Sequence, residues 1–189
     1  MKKWIACLLI SISQFASANW QLDNASSKLH FVSTKKGTVA EVHTFKQLSG
    51  SIDSTGLVSL SIPLVGVNTN IPIRDERMQA LLFESTQFPQ LRLKGNVDIA
   101  ALNVLAMGVP KQQTFSATVK LHGIEQTITA QVLVTRLNAQ HLLVSSYAPV
   151  IIKAADFGLT AGVDKLREIA KLPSISYAVP VTFSFMFTQ

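Results

Sequence analysis

Apolar and polar residues alternate along most of this chain. The alternation has a period of two, so that one set of side chains in each segment would face a dry interior and the other would face water. It is clearest in segments 28–33, 58–64, 91–99, 115–121, 128–134 and 179–187. A period of two repeated this often is typical of antiparallel β-strands with one buried face. The pattern therefore predicts an all-β protein.

Turn sequences separate these apolar segments at intervals that suit a meander. The predicted turns are Ser49-Gly50, Ser54-Thr55-Gly56, Gly108-Val109-Pro110 and His122-Gly123. About eight antiparallel strands would leave exposed edges unless the sheet closed on itself. The sequence therefore predicts an up-and-down barrel of about eight strands. A barrel of this size is either filled by side chains or wide enough for one small ligand, and alternation alone does not distinguish the two.

One or two short helices are expected beside the strands. The first is predicted from Ile73 to Phe83, because Pro72 suits the first turn of a helix and Asn70 stands close by as a cap. The second is predicted over 164–171 with Asp164 as its N-cap. The predicted inward-facing residues are Met78, Leu81 and Leu82 in the first helix, and Leu166, Ile169 and Ala170 in the second.

The N-terminal residues have the pattern of a secretory signal peptide. Lys2 and Lys3 precede an apolar run over 4–12, and Ala16-Ser17-Ala18 provides the small residues required for cleavage. The run is too short to span a bilayer, which needs about 20 apolar residues. We therefore expect cleavage after Ala18, a single mature domain over 19–189, and a periplasmic location.

Composition narrows the function classes. The single cysteine, Cys7, lies in the predicted signal peptide, so the mature chain would have no thiol for catalysis or metal binding. Without Lys2 and Lys3 there are 15 basic and 11 acidic residues, a net charge of +4 spread along the chain. Nucleic-acid-binding proteins more often have a basic stripe, so no nucleic-acid partner is expected.

Several motifs follow one another in the order of a known family. The opening Trp20-Gln21-Leu22-Asp23, with Ser27, Leu29 and Phe31 after it, resembles the W-x-x-D start of the YceI family. Its central pattern is similar to Asn68-Thr69, Arg74-Asp75-Glu76-Arg77, Phe83 and Phe88-Pro89. Its hairpin and late D-F-G segment are similar to 121–127 and to Asp156-Phe157-Gly158. The resemblance covers almost the whole mature chain.

This resemblance implies a lipocalin-like barrel with a long apolar pore. The implied ligands are polyisoprenoid lipids, such as isoprenoid quinones or polyprenyl phosphates, and no other cofactor is implied. Two positions depart from the family pattern. His43 stands where the family usually has a glycine two residues before a phenylalanine, and Arg77 stands where the R-D-E sequence is often followed by histidine.

The predicted lipid site has an apolar lining and a polar mouth. Inward alternation selects as lining Phe31, Phe45, Ile62, Leu64, Leu93, Val97, Phe115, Val119, Val132, Phe183 and Phe185. The same residues could simply fill a core. Arg74 and Arg77 lie three apart on the first helix, where they would share a face and bind an anionic or quinone head group. The alternative is an Arg74–Asp75 ion pair or a solvated helix face.

Other chemistry is sparse in the sequence. His30, His43, His122 and His141 lack the spacing of a metal pair, and no catalytic combination of nucleophile and base is evident. We therefore predict a non-enzymatic lipid-binding or lipid-carrying protein without a metal. Two alternatives stay open: a filled-core periplasmic interaction or stress-response module acting through its surface, and an eight-stranded outer-membrane barrel. The pattern leaves homodimer formation open as well.

Overall fold

The strands dominate the structure. The computed structural model describes residues 19–189, and the predicted signal peptide with its cleavage after Ala18 lies outside the described residues. Within that range the strands are β1 (Trp20–Lys35), β2 (Val39–Phe45), β3 (Ser49–Ile52), β4 (Leu57–Pro63), β5 (Val67–Asn68), β6 (Gln90–Asn96), β7 (Lys111–Leu121), β8 (Ile124–Arg136), β9 (His141–Ser146), β10 (Val150–Lys153) and β11 (Ala178–Thr188).

Eight of these strands form a closed antiparallel barrel. The order around the wall is β1, β3, β4, β6, β7, β8, β9 and β11, and β11 then pairs with β1. At that junction Leu29 lies opposite Phe183 and Phe31 lies opposite Val181. On the same edge of β1 as β3, strand β2 pairs with residues 30–35 of β1 and β5 pairs with β2, while β10 pairs with residues 178–181 of β11, beyond β9. The predicted antiparallel barrel is confirmed, with these three strands added to it.

The first predicted helix is present but divided. Helix α1 covers Pro72–Arg77 and continues as a π-helical turn over Met78–Leu82. Met78 is buried as predicted. The expected cap at Asn70 was wrong, because the N-cap residue is Ile71 and no side chain caps the helix.

The second predicted helix begins earlier than expected. Helix α3 covers Thr160–Ile169, so Asp164 is an interior residue of the helix and not its N-cap. A carboxylate at this position is explained by its partners: Asp164 accepts a hydrogen bond from the Tyr177 hydroxyl at 2.7 Å and from Arg167 at 3.4 Å. Val163 is the buried residue of α3, whereas Ile169 is 39 % exposed, contrary to the prediction.

Two further segments differ from the sequence prediction. The apolar run over 91–99 does not remain extended to Ile99, because Asp98 caps the short helix α2 (Ile99–Asn103) by accepting a hydrogen bond from the Ala101 amide at 3.1 Å. Ser49-Gly50 begins strand β3 and is not a turn. Gly50 is needed there because a Cβ atom would lie 2.7 Å from the Ser59 carbonyl oxygen of the adjacent strand.

Two apolar clusters occupy the two ends of the barrel. The lower cluster contains the buried residues Trp20, Leu48, Ile52, Val58, Leu60, Ile62, Leu102, Val132, Val134, Leu142, Phe185 and Phe187. The upper cluster contains the buried residues Phe31, Leu64, Val67, Met78, Phe83, Val119, Leu121, Ala154, Phe157, Leu159 and Val163. Helix α2 contributes to the lower cluster. Helices α1 and α3 with their adjoining turns contribute to the upper one.

The outer face of the central strands β6 and β7 is polar. On the central strands Lys94, Ser116, Thr118 and Lys120 point outward and are exposed. Apolar residues at the alternate positions point inward, which is the arrangement that the period of two predicts. Across residues 19–189, no helix has the length and apolar character needed to cross a membrane.

Candidate functional site

The predicted lining residues all belong to the apolar interior. Six of them are buried members of the two clusters: Phe31, Ile62, Leu64, Val119, Val132 and Phe185. The other five pack against the clusters while keeping part of their surface accessible: Phe45, Leu93, Val97, Phe115 and Phe183. Leu64 lies in a 3-10 turn after β4, and Val97 lies just beyond the end of β6. Contact of these residues with a ligand stays a prediction.

The middle of the barrel is less tightly filled than its ends. Phe45, Leu91 and Leu93 pack against both clusters, yet none of the three is fully buried. An inward-facing side chain in a closed wall that keeps accessible surface borders space inside the wall. The interior between the lower and upper clusters is thus lined by apolar side chains that keep accessible surface, which we interpret as an incompletely filled zone.

Large rings lie beside small residues on neighbouring strands of this zone. Phe115 lies opposite Ala130, and its ring covers Gly95, where a Cβ atom would be 2.6 Å from the ring. Phe183 and Phe185 stack with their ring centroids 4.7 Å apart. The shape of the zone is consequently set by a few aromatic side chains.

A polar cluster is set against the upper part of the interior, where β2 pairs with β1 and helix α1 packs nearby. Its members are Ser33, Lys35, Glu41, His43, Thr69, Arg74 and Asp75. Glu41 Oε2 lies 2.8 Å from Lys35 Nζ and 2.9 Å from an Arg74 Nη atom. Asp75 accepts a hydrogen bond from the Thr69 amide at 2.8 Å. The two cations of the cluster are thus matched by two carboxylates, and the hydrogen bond from Lys35 holds the pKa of Glu41 below its usual value.

His43 is the most enclosed ionisable side chain of the polar cluster. It is 4 % exposed, its ring centroid lies 5.2 Å from that of Phe31, and its Nε2 lies 2.7 Å from Ser33 Oγ. Its Nδ1 is buried without a hydrogen-bond partner. Burial first, and then the positive charge of Arg74, lowers the pKa of His43. The imidazole is therefore neutral at pH 7.

The two arginines predicted at the mouth have different surroundings. Arg74 is half-buried and donates one Nη hydrogen bond to Glu41 and another to the Thr69 carbonyl oxygen at 2.8 Å, while its Nε is buried without a partner. The anticipated Arg74–Asp75 ion pair is replaced by these contacts. Arg77 is exposed, so the two side chains do not converge on one site.

Sequence reasoning missed the other members of the polar cluster. Glu41, His43 and Phe45 occupy alternate positions on β2, so the period of two already placed two polar residues on the inward face. Val42 lies between Glu41 and His43 on β2 and is exposed, so here an apolar residue occupies the outward face. This reversal of the usual pattern marks β2 as a strand with a polar inner surface.

The remaining histidines have structural partners outside the polar cluster. His122 Nε2 lies 2.7 Å from Glu84 Oε2, and its ring packs on Phe88 with centroids 4.5 Å apart. His141 contacts the Asn138 side chain at 3.0 Å. Over residues 19–189, no group of three or more His, Cys, Asp or Glu side chains is arranged to hold a metal ion.

Comparison with known proteins gives one family and several similar structures. The family model of the YceI-like domain matches residues 20–187. A polyisoprenoid-binding domain from Saccharophagus degradans is 41% identical, with a TM-score of 0.88 over 89% of this chain and 97% of that one. Burkholderia cenocepacia BcnA is 16% identical, with a TM-score of 0.65 over 87% and 98% of the two chains. A Campylobacter jejuni YceI protein is 15% identical, with a TM-score of 0.56 over 78% and 84%. No relative is found among curated proteins.

Proposed function

Since the chain belongs to the YceI family, we propose that it is a periplasmic binding or carrier protein for a polyisoprenoid-type lipid held inside the barrel. The observation that carries this proposal is the apolar, incompletely filled zone between the two clusters, lined by inward residues such as Phe45, Leu93 and Phe115. The 41% identical polyisoprenoid-binding domain supports the same class of ligand.

The energetics of such a ligand demand little specific chemistry from the protein. Each methylene-sized carbon removed from water contributes about 0.8 kcal/mol. An isoprenoid unit has five carbons, so a few buried units exceed association costs of about 4–15 kcal/mol. A dry apolar wall is sufficient to hold the tail, and no catalytic group is required. The polar outer face of β6 and β7 favours this function over an outer-membrane barrel, whose outward positions are apolar.

The polar cluster favours one class of head group. A phosphate carries a charge of about −1.5 to −2 at pH 7 and is stabilised by unpaired cations. Lys35 and Arg74 are instead committed to Glu41, and Asp75 adds a second carboxylate. Of the two lipid classes, a neutral quinone is therefore the better match for the upper end of the interior.

Lipid extraction from the purified protein tests this function. The full chain would be produced in a Gram-negative host, released by osmotic shock and purified without detergent. Organic extraction and mass spectrometry are expected to recover an isoprenoid lipid in a fixed molar ratio. Empty protein that also takes up no isoprenoid quinone or polyprenyl phosphate in solution would overturn the proposal.

A matched pair of variants locates the lipid. Leu93→Trp adds bulk inside the barrel, whereas Lys94→Trp adds the same ring to the outer face one residue later. We expect Leu93→Trp to lose most of the lipid and Lys94→Trp to keep it. Thermal unfolding of both variants separates loss of lipid from loss of the fold. Equal lipid content in two folded variants would place the ligand elsewhere.

A further inference from the structure

The barrel wall is interrupted between β8 and β10. Strand β7 pairs with β8 from Ile124 to Val134, but β9 pairs with β8 only over Val132–Arg136. Strand β10 pairs with β11 and has no pairing with β8 in the described structure. The first half of β8, residues 124–130, therefore has an edge without a strand partner on this side.

The sequence between β9 and β10 explains the interruption. Ser145 lies opposite Ser184, so an unbroken strand would place Ala148 opposite Val181. Val150 occupies that place instead, which means that two extra residues are accommodated here. Within this bulge Pro149 has no amide hydrogen to donate to β8. The last backbone hydrogen bond before the interruption runs from the Tyr147 amide to the Gln131 carbonyl oxygen at 2.8 Å.

An open depression of about 300 Å³ lies at this interruption, which we call the lateral slit. It is lined by residues 127–131 of β8 and 148–151 before and within β10. On the β10 side its lining includes Ile151, which is 50% exposed, and on the β8 side the exposed lining residues are Thr127, Thr129 and Gln131. The apolar side chains on the β10 side, Pro149, Val150 and Ile151, are suited to contact with a hydrocarbon chain.

Two residues that line the slit, Ile128 and Ala130, also face the apolar interior. Ile128 lies opposite Ala117 and Ala130 lies opposite Phe115, so both residues of β8 face inward. Ile128 packs against the upper cluster, and Ala130 packs against the lower cluster. Along the barrel axis, the slit thus lies beside the incompletely filled zone between the lower and upper clusters.

Both ends of the barrel are more firmly closed than the slit. Phe157 and Met78 of the upper cluster are 0% and 7% exposed, and Trp20 and Leu142 of the lower cluster are 2% and 1% exposed. Passage through an end would require these close-packed residues to separate. Widening the slit breaks no strand pairing, because none exists between residues 124–130 and β10, and the side-chain hydrogen bond on this edge, from Gln126 Nε2 to the Asp156 carbonyl oxygen at 3.0 Å, lies above the slit.

We propose that the lateral slit between β8 and β10 is the passage through which the apolar tail of a linear lipid enters and leaves the barrel. This inference rests on the proposed function and adds the route of the ligand to it. The apolar side chains of Pro149, Val150 and Ile151 receive the tail, Ile128 and Ala130 lead it inward, and the two end clusters stay packed during exchange.

Reversible closure of the slit tests the route. Residues 19–189 contain no cysteine, so Thr129→Cys with Ile151→Cys introduces a unique pair across the slit. A short bis-maleimide would link the pair, and mass spectrometry would confirm the link. The control pair is Ser59→Cys with Lys94→Cys, which lie directly opposite each other on the outer face of the paired strands β4 and β6.

The measured quantity is the rate of exchange of a fluorescent isoprenoid quinone between vesicles and the protein. We expect linkage across the slit to slow uptake by empty protein at least about tenfold, and to slow release from preloaded protein by a similar factor. The linked control pair and the unlinked slit variant should exchange at the wild-type rate. Slow release together with full retention of preloaded lipid shows that the link blocks the route and does not deform the site.

Two results would be decisive against the passage. Wild-type exchange rates in protein linked across the slit would overturn the lateral route while leaving lipid binding intact. Linked protein that expels its preloaded lipid would show that closure distorts the interior, which also contradicts a passage separate from the site. Failure of the wild-type protein to take up any isoprenoid would instead overturn the proposed function and the route with it.

Discussion

Gly162 of helix α3 provides a quantitative test of how the upper end is packed. Replacing a helical glycine by alanine normally stabilises a protein, because alanine has the higher helix propensity by about 1 kcal/mol. At Gly162, however, a Cβ atom would lie 2.7 Å from the Leu81 carbonyl oxygen and 2.8 Å from Leu82 Cα. Both neighbours are backbone atoms of the π-helical turn and cannot move aside as a side-chain end could.

The two effects have opposite signs, and the close contact should prevail. Overpacking costs about 1–3 kcal/mol, and two backbone contacts shorter than 3.0 Å place Gly162→Ala in the upper part of this range. After the propensity gain of about 1 kcal/mol, we expect the free energy of unfolding to fall by about 1–2 kcal/mol. Urea unfolding followed by circular dichroism measures this change.

An exposed position of the same helix supplies the control. Lys165→Ala and Lys165→Gly differ only in helix propensity, because Lys165 is exposed. Their difference in unfolding free energy gives the local value of an alanine over a glycine, expected to be about 1 kcal/mol. If Gly162→Ala increased stability by this same amount, the close packing of α3 on the π-helical turn would be wrong.

Three further predictions concern the polar cluster and the ligand. Because burial and the charge of Arg74 lower the pKa of His43, the unfolded chain binds this proton more readily, so stability should fall as the pH drops below about 6.5. His43→Phe should reduce that pH dependence in urea titrations at successive pH values, and an unchanged slope would contradict the assignment. Arg74→Met should lower the unfolding free energy by about 1–3 kcal/mol, because it removes the hydrogen bonds to the Glu41 carboxylate and to the Thr69 carbonyl oxygen. The exposed Arg77 makes neither contact, so Arg77→Met should change the unfolding free energy by less than about 0.5 kcal/mol. Isoprenoid at 100 times its dissociation constant should raise the unfolding free energy by about 2.7 kcal/mol, and calorimetry showing no shift of Tm would contradict binding to the folded state.

The barrel could be predicted from the sequence because alternation reports burial directly. Each wall strand has to place apolar side chains on one face only, and residues 115–121 show the predicted register without exception. The hairpin at His122-Gly123 was equally predictable, since both residues adopt the positive φ angles that a two-residue turn requires. These features depend on local sequence alone.

The helices were harder to predict because distant contacts determine their limits. Gly162 and Asp164 resemble helix-boundary residues, yet Gly162 allows α3 to approach the turn at Leu81, and Asp164 binds Tyr177. Helix α2 has only five residues, and its Leu102 is buried in the lower cluster. The residues that α2 and α3 pack against are distant in the sequence, so the local pattern could not predict where either helix begins and ends.

The candidate site was predictable in its apolar part and not in its polar part. Alternation selected residues that do face the interior, whereas the partner of Arg74 is Glu41, which is 33 positions away on a different element. Only the pairing of β2 with β1 and the packing of α1 bring them together. An apolar Val42 between the polar residues Glu41 and His43 is the one local sequence signal that β2 has a polar inner face, and Val42 is exposed as this signal predicts.

Folding and ligand binding draw on different parts of the same interior. The two clusters contain the fully buried residues, such as Ile62 and Phe157, and truncating a buried side chain of this size costs about 2–5 kcal/mol. The zone between them is lined by residues that keep accessible surface, such as Leu93 and Phe115, so a change there removes less packing. A barrel closed by packing at both ends can therefore hold the proposed hydrocarbon chain in its middle without losing its fold, and the lateral slit is the route that we propose for that chain.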